Sequence, residues 1–234
     1  MRFSKISTLM GLALVASAQK VKFLPLGDSI TEITCWRALV WDMLSAEGLA
    51  DEVDFVGSMT NNPQNCRAQS PNFDTGHEGH SGWQAVDIAN QYIDGWVEKT
   101  VPDIVNFMLG TNDVNGGKTV AQIIGAYDKM LASMRAANPN VKVIIDKIIP
   151  LPFKNGPIVE VNKLIPGWVE TNSTPESPIV IADCSEDNGF TASMLRDGVH
   201  PNAQGDKVMA DQIGPLVIQY VKDVLAARDG GAAE

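Results

Sequence analysis

Positive charge is what this sequence has least of. Against 28 aspartates and glutamates stand 18 lysines and arginines, a formal net charge of −10 at pH 7. Such an acidic chain lacks the basic footprint that phosphate backbones and anionic lipid require, which excludes nucleic acid and anionic membranes as partners. Long apolar runs are missing too. No segment approaches 18 uninterrupted apolar residues, so nothing reads as a membrane-spanning helix. Histidine occurs only at 77, 80 and 200, and cysteine only at 35, 66 and 184. Any chemistry that needs an imidazole is therefore confined to three places.

The first residues read as an address. Arg2 and Lys5 precede the apolar stretch from Ile6 to Ala16, and Ala16-Ser17-Ala18 has the small-residue cleavage pattern. Residues 1–18 are expected to be a secretory signal peptide, residues 19–226 one domain, and residues 227–234 a frayed tail or the start of a linker. Secretion makes disulfides admissible. Three pairings, or three free thiols, are open. Cys35 and Cys66 both sit in loop-like surroundings and are the favoured pair, whereas Cys184 closes the apolar run Ile179-Val180-Ile181-Ala182-Asp183 and suits a buried side chain. Asn172-Ser173-Thr174 is a glycosylation sequon with Pro175 behind it.

Along the chain, short β-rich runs alternate with helical patterns. The runs are Val21–Leu26, Val53–Val56, Asp103–Leu109, Val141–Asp146 and Pro178–Asp183. Between them lie helices predicted over Trp36–Gly48, Trp83–Thr100 with an interruption at Gly95, and Thr119–Ala137 with a Thr119/Gln122 capping box. A weaker helix is expected from near Ile158, and a closing helix after Asn202, broken at Gly214-Pro215. Residues 57–82 form a long polar loop of the kind that is usually functional or disordered. The alternation predicts an α/β fold: a three-layer α/β/α sandwich, flavodoxin-like, around a central five-stranded, mostly parallel sheet. Ligands of such sheets bind outside the carboxyl ends of the strands.

That edge gathers the residues with chemical capacity. Gly27-Asp28-Ser29-Ile30-Thr31-Glu32 follows the first run, so Ser29 stands where a strand hands over to a helix and backbone amides favour negative charge. Gly110-Thr111-Asn112-Asp113 follows the third, and the Asn112 amide can donate to a developing oxyanion as a carboxylate cannot. Asp197-Gly198-Val199-His200-Pro201-Asn202 follows the fifth. A turn through Gly198 can return the Asp197 carboxylate to the His200 imidazole, leaving the other ring nitrogen to take a proton from a hydroxyl. The long loop ends in Gly76-His77-Glu78-Gly79-His80-Ser81-Gly82-Trp83, where a glycine amide can approach a ligand closely. His77 and His80 have metal-pair spacing without a third ligand nearby, so no metal is expected. Each motif alone is ordinary in turns.

Together, in this order, the four motifs resemble the signature blocks of the GDSL or SGNH hydrolase superfamily. The detail of residues 27–32, 77–83 and 197–205 is most similar to carbohydrate esterase family 3. The resemblance implies a secreted serine esterase that removes acetyl groups from xylan and related sugars, acting as a monomer without a cofactor. It implies Ser29 as nucleophile, His200 as general base and then acid, and Asp197 as its orienter. The oxyanion hole would be the Ser29 and Gly82 amides with the Asn112 side chain; Gly79 is the other candidate for the glycine. His80, Trp83 and Trp36 are candidate substrate contacts. The Gly-x-Ser-x-Gly elbow of α/β-hydrolases is absent.

Overall fold

A computed structural model describes residues 19–231. The signal peptide expected at 1–18 lies outside the described residues. The main strands are β1 (Val21–Gly27), β2 (Val53–Phe55), β4 (Ile104–Met108), β5 (Lys142–Asp146) and β6 (Ile179–Ala182). They lie in the order β2-β1-β4-β5-β6, every neighbouring pair parallel. This is the flavodoxin-like order, with the chain reversing direction across the sheet between β1 and β4. A sixth strand, the two-residue β3 (Glu78–Gly79), escaped the periodicity reading because two residues cannot show a period. It pairs with Leu26 and Gly27 alongside β1, beyond the point where β2 stops.

The strands read apolar because helices cover both faces. Phe23, Leu24, Leu26, Ile104, Val105, Val143 and Ile144 have no exposed surface, and each contributes roughly 1.5 to 3 kcal/mol of transfer free energy. On one side α2 (Trp36–Ala46) packs along α8 (Ala203–Gly231); on the other lie α3 (Ala85–Gln91), α4 (Ile93–Thr100), α6 (Val120–Ala137) and α7 (Asn155–Asn172). The capping box on α6 is present, Thr119 Oγ accepting from the Gln122 amide and Gln122 Oε1 from the Thr119 amide. Two short helices open at the carboxyl edge of the sheet: α1 (Ser29–Glu32) after β1, and α5 (Thr111–Asn115) after β4.

Three boundaries depart from expectation. The break between α3 and α4 falls at Tyr92, whose ring stacks against Trp83 and Trp96, so aromatic packing sets it; Gly95 lies inside α4. The helix expected from Ile158 starts at Asn155 and runs for 18 residues. Helix α8 passes through Gly214-Pro215 unbroken to Gly231. Pro215 and Asp211 are both exposed, so the carbonyl left without its donor faces water, while Ile213 and Val217 keep the helix on the core. Beyond residue 226, Arg228 binds both oxygens of Asp103 and the Gln19 carbonyl. Cys35 and Cys66 form a disulfide, and Cys184 is free and buried. No helix among the described residues is long and apolar enough to cross a membrane.

Candidate active site

The carboxyl edge brings Ser29, Asp197 and His200 together. Ser29 is the first residue of α1. Asp28 caps that helix by accepting the Ile30 amide at 2.9 Å, which turns the chain sharply out of β1 and presents the Ser29 hydroxyl at the edge. The Ser29 hydroxyl lies 2.8 Å from His200 Nε2, and His200 Nδ1 lies 2.8 Å from Asp197 Oδ2. Asp197 Oδ1 accepts the Val199 and His200 amides at 3.0 and 2.8 Å.

Electrostatics fixes the proton positions. Desolvation alone would raise the Asp197 carboxyl, but the His200 and Val199 amides and the imidazole outweigh it and hold the group down at about 2. An ionised carboxylate only accepts, so His200 Nδ1 carries the ring proton and Nε2 is left as the acceptor for the serine hydroxyl. The loop that carries Asp197 and His200 closes on itself: Leu195 and Pro201 form an antiparallel bridge, and the Arg196 amide donates to the His200 carbonyl at 2.8 Å.

The three candidate oxyanion donors come from different elements. The Ser29 amide belongs to the first turn of α1, where amides have no helical acceptor. Gly82 adopts φ +84°, a left-handed conformation that favours glycine, and its amide has no protein acceptor among the described residues. Asn112 is engaged on both amide hydrogens, Nδ2 lying 3.0 Å from Asp28 Oδ2 and 3.0 Å from the Trp83 carbonyl. A bound oxyanion must therefore share or replace one of these acceptors. Gly79 is buried in β3, its amide donating to His77 Nδ1 at 3.0 Å, so that donor is already occupied.

The substrate-contact candidates divide. Trp36 is 1 % exposed and its Nε1 donates to the Ile30 carbonyl at 3.1 Å; it is a core residue and does not face a ligand. Spacing was the available signal, because Trp36, Val40 and Leu44 recur on one buried stripe of α2. Trp83 and His80 stay near the site in an aromatic group: His80 stacks on Trp83 and Trp96 with ring centroids 4.5 and 4.7 Å apart, and Tyr92 closes the other side. His80 Nε2 also meets the buried Glu78 carboxylate at 2.6 Å, and that carboxylate accepts from the Ser58 amide. His77 is fully buried with both ring nitrogens in use, and burial followed by the Arg37 charge pushes it down to about 4.

Sequence reasoning missed the residues that brace this constellation. Asp28, raised to about 7 by burial against the pull of the Ile30 amide, joins the nucleophile turn to Asn112. Asp113 accepts the Ala85 and Val86 amides and so fastens the start of α3 to α5, just beyond β4. Arg37, 2 % exposed, donates to the Thr31 and Glu32 carbonyls that close α1. A cleft of about 600 Å³ lined by Trp41, Asp42 and Pro71 among others contains none of the site residues.

This geometry, a serine at a strand-to-helix turn in contact with a histidine and through it an aspartate on a flavodoxin-like edge, is compatible with a serine hydrolase scaffold. Residues 26–208 match the GDSL-like Lipase/Acylhydrolase family, to which the chain belongs. Among solved structures, a carbohydrate esterase family 3 protein from Talaromyces cellulolyticus is 60 % identical, with a TM-score of 0.85 over 87 % of this chain and 99 % of that one. A serine-to-alanine variant of an acetyl esterase, solved with an acetate ion, matches with the same identity, coverage and TM-score. A family 3 carbohydrate esterase of Clostridium thermocellum is 28 % identical, with a TM-score of 0.68 over 89 % of this chain and 98 % of that one. A curated multidomain esterase of Ruminococcus flavefaciens is 28 % identical over 98 % of this chain, which spans about a third of that protein's length (34 %).

Proposed function

We propose that this chain is a secreted carboxylic ester hydrolase that removes acetyl groups from acetylated polysaccharides such as xylan, or from their oligosaccharides. The observation that carries the reading is the relay from Ser29 through His200 to Asp197, two successive contacts of 2.8 Å at the ligand-binding edge of the sheet. The acetyl esterase and the family 3 carbohydrate esterase at 60 % identity support the acetyl group and the sugar. The Cys35–Cys66 disulfide supports an oxidising compartment.

In this reading the Ser29 oxygen attacks the ester carbonyl while His200 Nε2 takes its proton. The resulting oxyanion is held by the Ser29 and Gly82 amides and by Asn112, which shares a hydrogen now given to the Trp83 carbonyl. Collapse expels the sugar hydroxyl, protonated by His200. Water, deprotonated by the same imidazole, then releases acetate and restores the serine. Trp83 and His80 flank the glycine donor and offer ring surface to the sugar.

The test is acetate release from acetylated xylan, with Ser29→Ala as control. Ser29→Ala is expected to lower kcat by about six orders of magnitude. Retention of most activity in that variant sinks the triad, and faster hydrolysis of an octanoyl than of an acetyl chromogenic ester replaces the acetyl assignment with a lipase-like one.

A further inference from the structure

An oxyanion donor has to be held to a fraction of an ångström, yet Ser81 and Gly82 are exposed residues at the end of a long polar loop. One side chain ties that turn directly to the nucleophile. Glu32 is the last residue of α1, the four-residue helix that Ser29 opens. Its Oε2 accepts the Ser81 amide at 2.8 Å and the Ser81 hydroxyl at 2.5 Å, and its Oε1 accepts Asn61 Nδ2 at 2.6 Å. One carboxylate thus grips both the outgoing and the returning limb of the loop.

The base of the grip is rigid. Arg37 Nε donates to the Thr31 carbonyl at 2.9 Å, Nη2 to the Glu32 carbonyl at 3.3 Å and Nη1 to the Thr75 carbonyl at 3.0 Å. Strand β3 lies directly against α1: a Cβ at Gly79 would stand 2.7 Å from the Glu32 amide nitrogen, so only glycine admits this approach. From Ser29, one helical turn, the hydrogen-bonded Glu32 carboxylate and the Ser81 amide lead to Gly82. On the far side, Asn112 holds the Trp83 carbonyl.

We propose that Glu32 is a positioning residue for the reaction, fixing the Gly82 amide relative to the Ser29 amide so that both meet the same oxyanion. The inference rests on the esterase reading above. Glu32 touches neither substrate nor the triad in this role; it acts through Ser81. A purely structural tether would affect loop stability and substrate binding, whereas a positioning tether affects the transition state selectively.

The experiment compares Glu32→Ala, Glu32→Gln and Ser81→Ala in the full chain. Glu32→Ala displaces a donor without deleting it, so kcat is expected to fall about 10- to 100-fold, below the roughly 100- to 1,000-fold loss for removing a donor outright, with KM within about twofold. Glu32→Gln keeps an oxygen for the Ser81 amide and should stay within about fivefold of the parent; Ser81→Ala, which keeps the amide, should do the same. Inhibition by phenylboronic acid, whose serine adduct places a tetrahedral oxygen in the hole, should weaken in Glu32→Ala by the factor kcat loses. An unchanged kcat with a lowered Tm, or an equal loss in the Ala and Gln variants, overturns the proposal. If Glu32→Ala fails to fold, the pair Glu32→Gln and Ser81→Ala still decides it: a loss beyond tenfold in both, without the matching loss of boronate affinity, refutes positioning. Activity persisting in Ser29→Ala would strike the esterase reading; an inactive Ser29→Ala beside a fully active Glu32→Ala strikes only this one.

Discussion

Two loops meet over Ser29, and they are built on opposite plans. The segment 194–202, which carries Asp197 and His200, is self-contained: the Asp197 carboxylate binds groups two and three residues away, and the Leu195–Pro201 bridge closes the loop on itself. The segment 57–82, which delivers Gly82, holds its shape through contacts far along the chain. Glu32 grips Ser81 from 49 residues away, Arg37 reaches Thr75 across 38, and the disulfide closes a separation of 31. The Asp197–His200 half of the proposed relay is therefore set by local covalent reach, whereas its contact with Ser29, 171 residues away, and the proposed oxyanion arm are set by the assembled fold. A fault in the first should appear in chemistry alone; a fault in the second should appear in chemistry and stability together.

The largest separation between the two arms is expected from Asp197→Asn. The amide keeps an oxygen for the Val199 and His200 amides, so the loop should keep its fold, but it no longer enforces a proton on His200 Nδ1. The proposed base then loses its tautomer, and kcat should fall about 1,000- to 10,000-fold with Tm nearly unchanged. Asp197 is half exposed, with a side-chain exposure of 49 %, which favours the lower end of that range. A loss below tenfold would remove Asp197 from the relay.

On the other arm, replacing Cys35 and Cys66 together by serine should reverse the pattern. Opening this loop costs about 3 to 4 kcal/mol in the chain-entropy model. That corresponds to a Tm lower by roughly 10 °C in a domain of this size. At a temperature where the variant is folded, kcat should fall less than about tenfold, because Glu32, Arg37 and Asp113 still brace the oxyanion turn. An unchanged Tm would break the comparison from one side. A loss of kcat as deep as that of Asp197→Asn would break it from the other.

The same contrast explains what the sequence makes legible. Asp197 with His200 and the Thr119 capping box stand on short spacings, and strand burial writes itself as apolar runs, so the sheet and the Asp197–His200 contact were legible, while Ser29, 171 residues from His200, reaches it only through the order of the strands. Asp28, Glu32, Arg37 and Asp113 were not, because a charged residue in a sequence does not declare a partner 27 to 84 residues distant. Trp36 failed for another reason. An indole can stack on a sugar ring, but the helical period turns this one inward, where the Ile30 carbonyl takes its indole hydrogen. Likewise the Tyr92 break follows from ring stacking that no propensity contains.

The smallest expected effect tests a carboxylate that stands between the Asp197 loop and the disulfide-bonded Cys35. Asp206, in the first turn of α8, accepts the amide of Cys35 at 3.0 Å and lies beside Arg196, the residue before Asp197. Burial drives its carboxyl up to about 6 against the pull of the Cys35 amide, Thr34 and Arg196. Its folded value thus exceeds the ordinary carboxylate value of 3.8, so the native state binds the proton more tightly. The stability this contributes is fully present below about pH 4 and is lost as pH rises through 6. Asp28, held at about 7 by burial, has the same sign, so the parent should lose stability from pH 4 to 7 through both groups. Asp206→Asn keeps an acceptor for Cys35 without the titration. Its Tm relative to the parent should therefore rise by a few degrees between pH 4 and pH 7, at about 2 to 4 °C per kcal/mol. Parallel Tm curves for the two proteins across that range would mean that Asp206 titrates alike in the folded and unfolded chain, and that its hydrogen bonds cancel the effect of burial.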